Sequence, residues 1–180
     1  MDALKRTMPF IVALMMLLCV VPVAGDGADA AGEANGVLIY EFDPYGEGVS
    51  LKNYGTTPVD LKGYIITDSN TGKEGSWTFS KSHNLPAGAV VTIVLNESDA
   101  GDFANRYDTI SVEGDGIITK AKSFALASGG DDIYLSNGTT VIDAVCYGDF
   151  EITDESLWTG SPAKKKTDRW NVRASDTDTN

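Results

Sequence analysis

From Val37 to about residue 150, short apolar runs alternate with turn-forming clusters roughly every 8 to 12 residues, the spacing of a β-sandwich. In the first run Leu38, Tyr40 and Phe42 share one face of a strand. Val49 and Leu51 alternate with Ser50 and Lys52 in the next, and Asn53-Tyr54-Gly55 ends it. A third run, Leu61 to Thr67, closes at the loop Asp68-Ser69-Asn70-Thr71-Gly72. Trp77 and Phe79 then alternate with Thr78 and Ser80. Leu85-Pro86-Ala87-Gly88 turns the chain into Val90 to Leu95, apolar at nearly every position and so expected to be buried on both faces. A hairpin follows from Ile133-Tyr134-Leu135-Ser136 through Asn137-Gly138 to Thr139–Tyr147, with Leu135 facing the core. Asn-Gly predicts a two-residue type I′ turn, because both central positions there need positive φ. In the returning strand Ile142, Ala144 and Cys146 share a face. One helical segment is predicted: Ser98 caps a turn or two from Asp99 to Arg106, with Asp99 and Asp102 near the positive end of its dipole. There is no long amphipathic helix and no internal repeat, and the predicted fold class is all-β.

The N-terminus follows a different pattern. Lys5 and Arg6 precede an uncharged apolar stretch from Phe10 to Ala24. It is shorter than the roughly 20 residues a membrane span needs and has the length of a signal-peptide core. Val23-Ala24-Gly25 and Ala28-Asp29-Ala30 offer small residues for cleavage. An uncleaved anchor is the alternative, and the chain's only route to a membrane. A lipoprotein is set aside, because Leu18 rather than a small residue precedes Cys19. Residues 1–25 are therefore read as a signal and the Gly-, Ala- and Asp-rich 26–36 as a flexible linker. Residues 37–150 form the sandwich, and 151–180 are a C-terminal segment, basic and then acidic. The expected location is secreted or cell-surface.

Export changes the charge. Loss of Asp2, Lys5 and Arg6 takes the chain from 14 basic and 26 acidic residues to 12 and 25, and its net charge from −12 to −13. Such a chain repels nucleic acid and anionic membranes unless its cations cluster. Cys146 alone survives of the two cysteines, so no intrachain disulfide is available and the hydrophobic core must carry the fold.

Several runs resemble the lamin-tail domain family, in the family's order. Val37-Leu38-Ile39-Tyr40-Glu41-Phe42 and Gly48-Val49-Ser50-Leu51-Lys52-Asn53 resemble its opening strands, and Thr56-Thr57-Pro58-Val59-Asp60-Leu61-Lys62-Gly63-Tyr64 its next element. Leu85-Pro86-Ala87-Gly88 resembles the turn into its central strand. Ser128-Gly129-Gly130-Asp131-Asp132-Ile133-Tyr134-Leu135 and Val141-Ile142-Asp143-Ala144-Val145-Cys146-Tyr147-Gly148 resemble its closing hairpin. Tyr64 stands where Trp is usual and Ser50 where Glu is usual. Trp158, Gly160, Pro162 and Asp176-Thr177-Asp178-Thr179 look like a stretch that follows such domains in secreted prokaryotic proteins. The resemblance implies an immunoglobulin-like sandwich used for binding or tethering, often beside a phospholipase-D-like or nuclease domain. It implies no catalytic residues.

The residues themselves point the same way. His83, the only histidine, precedes the Asn84-Leu85-Pro86 turn and reads as an exposed loop residue without a Gly-x-Ser-x-Gly elbow or a Cys/His partner. One Cys and one His cannot supply four zinc ligands. Calcium is the one cation the acidic loops could take, at Glu113-Gly114-Asp115-Gly116, Gly130-Asp131-Asp132 or Asp176-Thr177-Asp178; the plainer reading of all three is solvated surface. No other cofactor and no metal site is expected. Cys146 reads as a small buried hydrophobe. Asn96-Glu97-Ser98 and Asn137-Gly138-Thr139 are glycosylation sequons, making Asn96 and Asn137 candidate acceptors. Lys164, Lys165, Lys166, Arg169 and Arg173, with Trp170 among them, read as a solvated strand or tail, or else as a patch for an anionic partner.

The leading functional reading is a secreted or cell-surface, non-catalytic binding or adhesion module whose partner is a protein or a cell-surface polymer; nucleic acid is expected to bind at most weakly. Two others stand beside it. One is the N-terminal accessory domain of a secreted hydrolase whose catalytic part lies outside this chain. The other is a calcium-stabilised surface protein.

Overall fold

A computed structural model describes residues 36–68, 75–96, 107–122, 124–152, 162–163 and 171–172. The strands are β1 (Val37–Asp43), β2 (Gly48–Asn53), β3 (Val59–Asp60), β4 (Ile65–Thr67), β5 (Ser76–Phe79), β6 (Asn84–Leu85), β7 (Val90–Val94), β8 (Asp108–Ser111), β9 (Ile118–Ala121), β10 (Gly130–Ser136), β11 (Val141–Gly148) and β12 (Asn171–Val172). They form two five-stranded sheets, ordered β12-β1-β2-β7-β8 and β11-β10-β4-β5-β9, and β3 pairs with β6 in a small ribbon. All pairs are antiparallel except β7 with β8. The fold is an all-β, immunoglobulin-like sandwich. The loop around Ser69–Gly72 and the helical segment from Asp99 to Arg106 lie outside the described residues.

The core follows the alternation in most strands. Val49 and Leu51 of β2 and Val91 and Ile93 of β7 face Ile66, Trp77, Phe79 and Ile133 of the second sheet, all fully or almost fully buried. Leu135 belongs to the same core. Aromatic pairs knit the interior: Phe42 lies 4.9 Å from Tyr147, and Trp77 meets Phe124 edge-on at 4.6 Å. Each pair adds about 0.5–1.5 kcal/mol beyond burial. Gly75 makes the second contact feasible, because a Cβ there would lie 2.4 Å from the Phe124 backbone.

Where alternation alone misassigns a face, a bulge is the reason. In β1 the register slips between Ile39 and Glu41, so Val37, Ile39 and Phe42 enter the core while Tyr40 turns outward. The expected trio of Leu38, Tyr40 and Phe42 does not share a face, because one extra residue inverts every position after it. In β11 the register slips opposite Leu135 and Ser136, leaving Ile142 as the extra residue. Ile142 packs on the main core, whereas Ala144 and Cys146 form an outer cluster with Ile152, flanked by Tyr134 and Phe150. Cys146 is buried as expected, but on the outer face of its sheet.

Two loops also differ from expectation. The run from Leu61 to Thr67 is interrupted by a turn at Lys62–Gly63, where Gly63 has φ +89°, and only Ile65–Thr67 is strand. The hairpin turn is a four-residue connection, Asn137–Thr140, rather than type I′; among the described residues only Glu47 and Lys122 are non-glycines with positive φ, so Asn137 lacks the I′ conformation. Its carboxamide Oδ1 accepts the N–H groups of both Thr139 and Thr140, and this side-chain turn widens the loop.

Two short described segments beyond β11 also pair with the sandwich. Ala163 bridges to Tyr147 at the outer edge of β11, and β12 pairs with Glu41 and Phe42 at the edge of β1. The two bulged strands meet at this side, where the Ile39 N–H donates to Asp143 Oδ2 at 2.6 Å across 104 residues of sequence.

Candidate functional site

The outward face of the first sheet carries the most distinctive surface chemistry. Lys52 alternates with core-facing Leu51 and so points away from the interior. Its ammonium lies 5.2 Å from the Tyr40 ring centroid and 4.6 Å from that of Tyr54. Tyr107, just before β8, meets Tyr40 edge-on at 6.2 Å. All four side chains are half-buried, so each keeps part of its surface in solvent. A cation held over a tyrosine ring gains about 0.5–2 kcal/mol, which fixes the long lysine side chain between two aromatic rings, with Tyr107 stacked edge-on behind one of them. Further along the same face Glu41, Ser50 and Thr92 are fully buried. Ser50 Oγ donates to Glu41 Oε1 at 3.3 Å and shares a hydrogen bond with Thr92 Oγ1 at 2.8 Å. Ser50 thus takes part in a hydroxyl–carboxylate row.

Sequence reasoning singled out none of these tyrosines. Tyr40, Tyr54 and Tyr107 are isolated in the chain, and only the folded sheet brings them to one place. The residues it did single out lie elsewhere. Lys164, Lys165, Lys166, Arg169, Trp170 and Arg173 fall outside the described residues, as does Asp176-Thr177-Asp178. Asn96 is half-buried just after β7, and Asn137 opens the β10–β11 connection.

His83 is not the exposed loop residue its sequence neighbours imply. Its side chain is 16% exposed; it lies against Phe79 and holds Nε2 3.5 Å from Asp108 Oδ2. Asp60 lies close by, and its carboxylate accepts the Lys62 and His83 N–H groups and the Ser82 hydroxyl. These bonds, that of Lys62 foremost, hold its pKa below the ordinary carboxylate range. Ser82 therefore donates to a carboxylate rather than to the imidazole. Nothing in this cluster prepares that hydroxyl as a nucleophile.

The acidic loops are also spent internally. Asp115 Oδ2 accepts the Ser111 N–H at 2.7 Å, closing the turn after β8, and Glu113 pairs with Lys120 at 3.4 Å. Asp131 and Asp132 are buried, contrary to the solvated surface expected for them. Asp131 accepts the N–H groups of Ala127 and Asp132, and Glu47 that of Leu126, so these carboxylates brace the segment leading into β10. Burial pushes the Asp131 carboxyl above its usual range. It also pushes up the Tyr147 phenol, which donates to Ala127 O at 2.8 Å. Among the described residues no three His, Cys, Asp or Glu side chains converge as metal ligands.

The fold, with its closing hairpin β10–β11 and the Leu85–Gly88 turn into β7, agrees with a direct family comparison. The model of the lamin tail domain matches residues 30–149, two thirds of the 180-residue chain. The chain belongs to the lamin tail domain family. A search of curated proteins found no match. Lamin tail domains are immunoglobulin-like and non-catalytic as a family. The match ends one residue past β11, so the Ala163 bridge and β12 are additions that pair with this lamin tail domain from beyond its matched span.

Proposed function

We propose that this protein is a secreted or cell-surface lamin tail module that binds a protein or cell-surface polymer and performs no chemistry of its own. Residues 1–25 serve as the export signal, 26–36 as a linker, and 37–150 as the sandwich that displays the binding face, with 151–180 as its C-terminal extension. The observation that carries the reading is the Tyr40–Lys52–Tyr54–Tyr107 group. Aromatic rings fixed by packing and by a cation lose little conformational freedom on binding, which favours contact with a partner over exposure to water. A place beside a hydrolase domain in a longer protein would use the same face.

The test is co-sedimentation of the purified mature chain with insoluble envelope polymer from the producing organism, alongside blotting against its surface proteins. Retention should fall at least tenfold in the Tyr40→Ala, Tyr54→Ala double variant while thermal stability stays within a few degrees. Equal retention of wild type and variant would remove this face from the mechanism. Turnover of phosphodiester, ester or peptide substrates that survives repurification would overturn the non-catalytic reading.

A further inference from the structure

Asn137 opens the β10–β11 connection with its amide oxygen fully engaged and its amide nitrogen uncommitted. Oδ1 accepts the Thr139 hydroxyl at 2.8 Å, the Thr139 N–H at 3.1 Å and the Thr140 N–H at 3.0 Å. Among the described residues Nδ2 donates no hydrogen bond. Asn53 shows the opposite pattern: its Nδ2 is spent on Thr57 O and Leu85 O, inside the fold. Gly138, Thr139 and Thr140 are exposed and Asn137 itself is half-buried, so the tripeptide sits on a hairpin tip. The other sequon begins at Asn96, which is half-buried, separated from the buried end of β7 only by Leu95, and is itself engaged in an interaction.

We propose that Asn137 is the N-linked glycan acceptor of this chain and that Asn96 is not. The assignment rests on the export reading, because the transfer takes place outside the cytoplasm. Three hydrogen bonds to Oδ1 draw electron density toward oxygen and make an Nδ2 proton easier to remove. In the transfer Nδ2 attacks the anomeric carbon of a sugar carried on a polyprenyl phosphate or diphosphate. The N–C1 bond forms, and the C1–O bond to the phosphate breaks with its electron pair leaving on the carrier. The displaced Nδ2 proton passes to a carboxylate of the transferase, and nothing is oxidised or reduced. The amide keeps its oxygen and one N–H, so all three bonds to Oδ1 survive and the turn holds its shape with the glycan directed from an exposed loop.

The test is peptide mapping by mass spectrometry of the full chain recovered from the surface or medium of the organism that makes it. A glycan mass on the tryptic peptide between Lys122 and Lys164 is expected. It should vanish in Asn137→Asp, which keeps the acceptor oxygen, and in Thr139→Ala, which keeps the nitrogen. It should persist in Thr139→Ser and in Asn96→Gln. Exported protein whose Asn137 is unmodified, or carries only the one-dalton gain of amide hydrolysis, overturns the assignment, as does a glycan that survives Asn137→Asp. Protein held inside the cell with Met1 intact instead defeats the export reading and takes this assignment with it.

Discussion

Replacing Asp143 tests the seam between the two sheets directly. Its side chain is 2% exposed and accepts the Ile39 N–H at 2.6 Å and the Ala144 N–H at 2.9 Å, where bulges in β1 and β11 interrupt the regular ladders. Asp143→Ala removes both of these hydrogen bonds from a buried position. Hydrogen bonds to a charged group contribute roughly 1.5–3 kcal/mol each. Relief of the buried carboxylate's own desolvation offsets part of the loss. The expected net cost is about 3–4 kcal/mol, a large share of the roughly 5–15 kcal/mol that holds a domain of this size. With a urea m-value of about 2 kcal/mol/M, the unfolding midpoint should fall by about 1.5–2 M. Amide exchange sharpens the test: Ile39 should lose protection well below the global unfolding energy, while Val49 and Leu51, paired within the first sheet, should not. A midpoint change under about 0.3 M with Ile39 still protected would refute the idea that this carboxylate closes the seam.

Three further outcomes follow from the same structure. Leu135→Asp should abolish cooperative unfolding, because it places an unpaired carboxylate in the core at a cost of at least several kcal/mol. Lys122→Asp, at an exposed position with φ +56°, where Asp is among the better-tolerated residues, should shift the melting temperature by only a few degrees; equal melting of the two variants would contradict the face assignment. Cys146, whose thiol pKa is raised foremost by burial, should resist a chromogenic disulfide reagent in the native protein and react at once in urea; fast native reaction would place it outside the packed cluster. Asp131 has its folded pKa raised above the unfolded value of about 3.8, so the native state holds more protons between the two values and Asp131's contribution to stability is lost as pH rises through the folded one. Asp131→Asn should therefore lose less stability than wild type between pH 4 and pH 7 in urea titrations, and parallel pH profiles would show that the burial effect is absent.

The alternation of Val49 with Ser50, of Trp77 with Thr78, and the mostly apolar Val90–Val94 run determine the all-β class, the faces of the regular strands and most of the core, because a period-two pattern with one apolar face can be buried in only one way. The same local logic places the Leu85–Gly88 turn and the late hairpin, and the order of these runs carries the family resemblance. What sequence periodicity could not contain were the two bulges, since one extra residue leaves composition unchanged yet inverts every later side chain. Those bulges turn Phe42 into the core and so away from the face of Tyr40, and they separate Ile142 from Ala144 and Cys146. Pairings over long separations were equally out of reach: Asp143 with Ile39, His83 with Asp108, and β12 with β1 depend on which sheet edges come together. The burial of Asp131 and Asp132 was hidden for a different reason, because an acidic Gly-rich run reads as solvated until the sheet buries it and Asp131 turns back on the nearby N–H groups of Ala127 and Asp132. Local pattern therefore decided which residues could form strands, and only tertiary packing decided which polar and aromatic side chains meet.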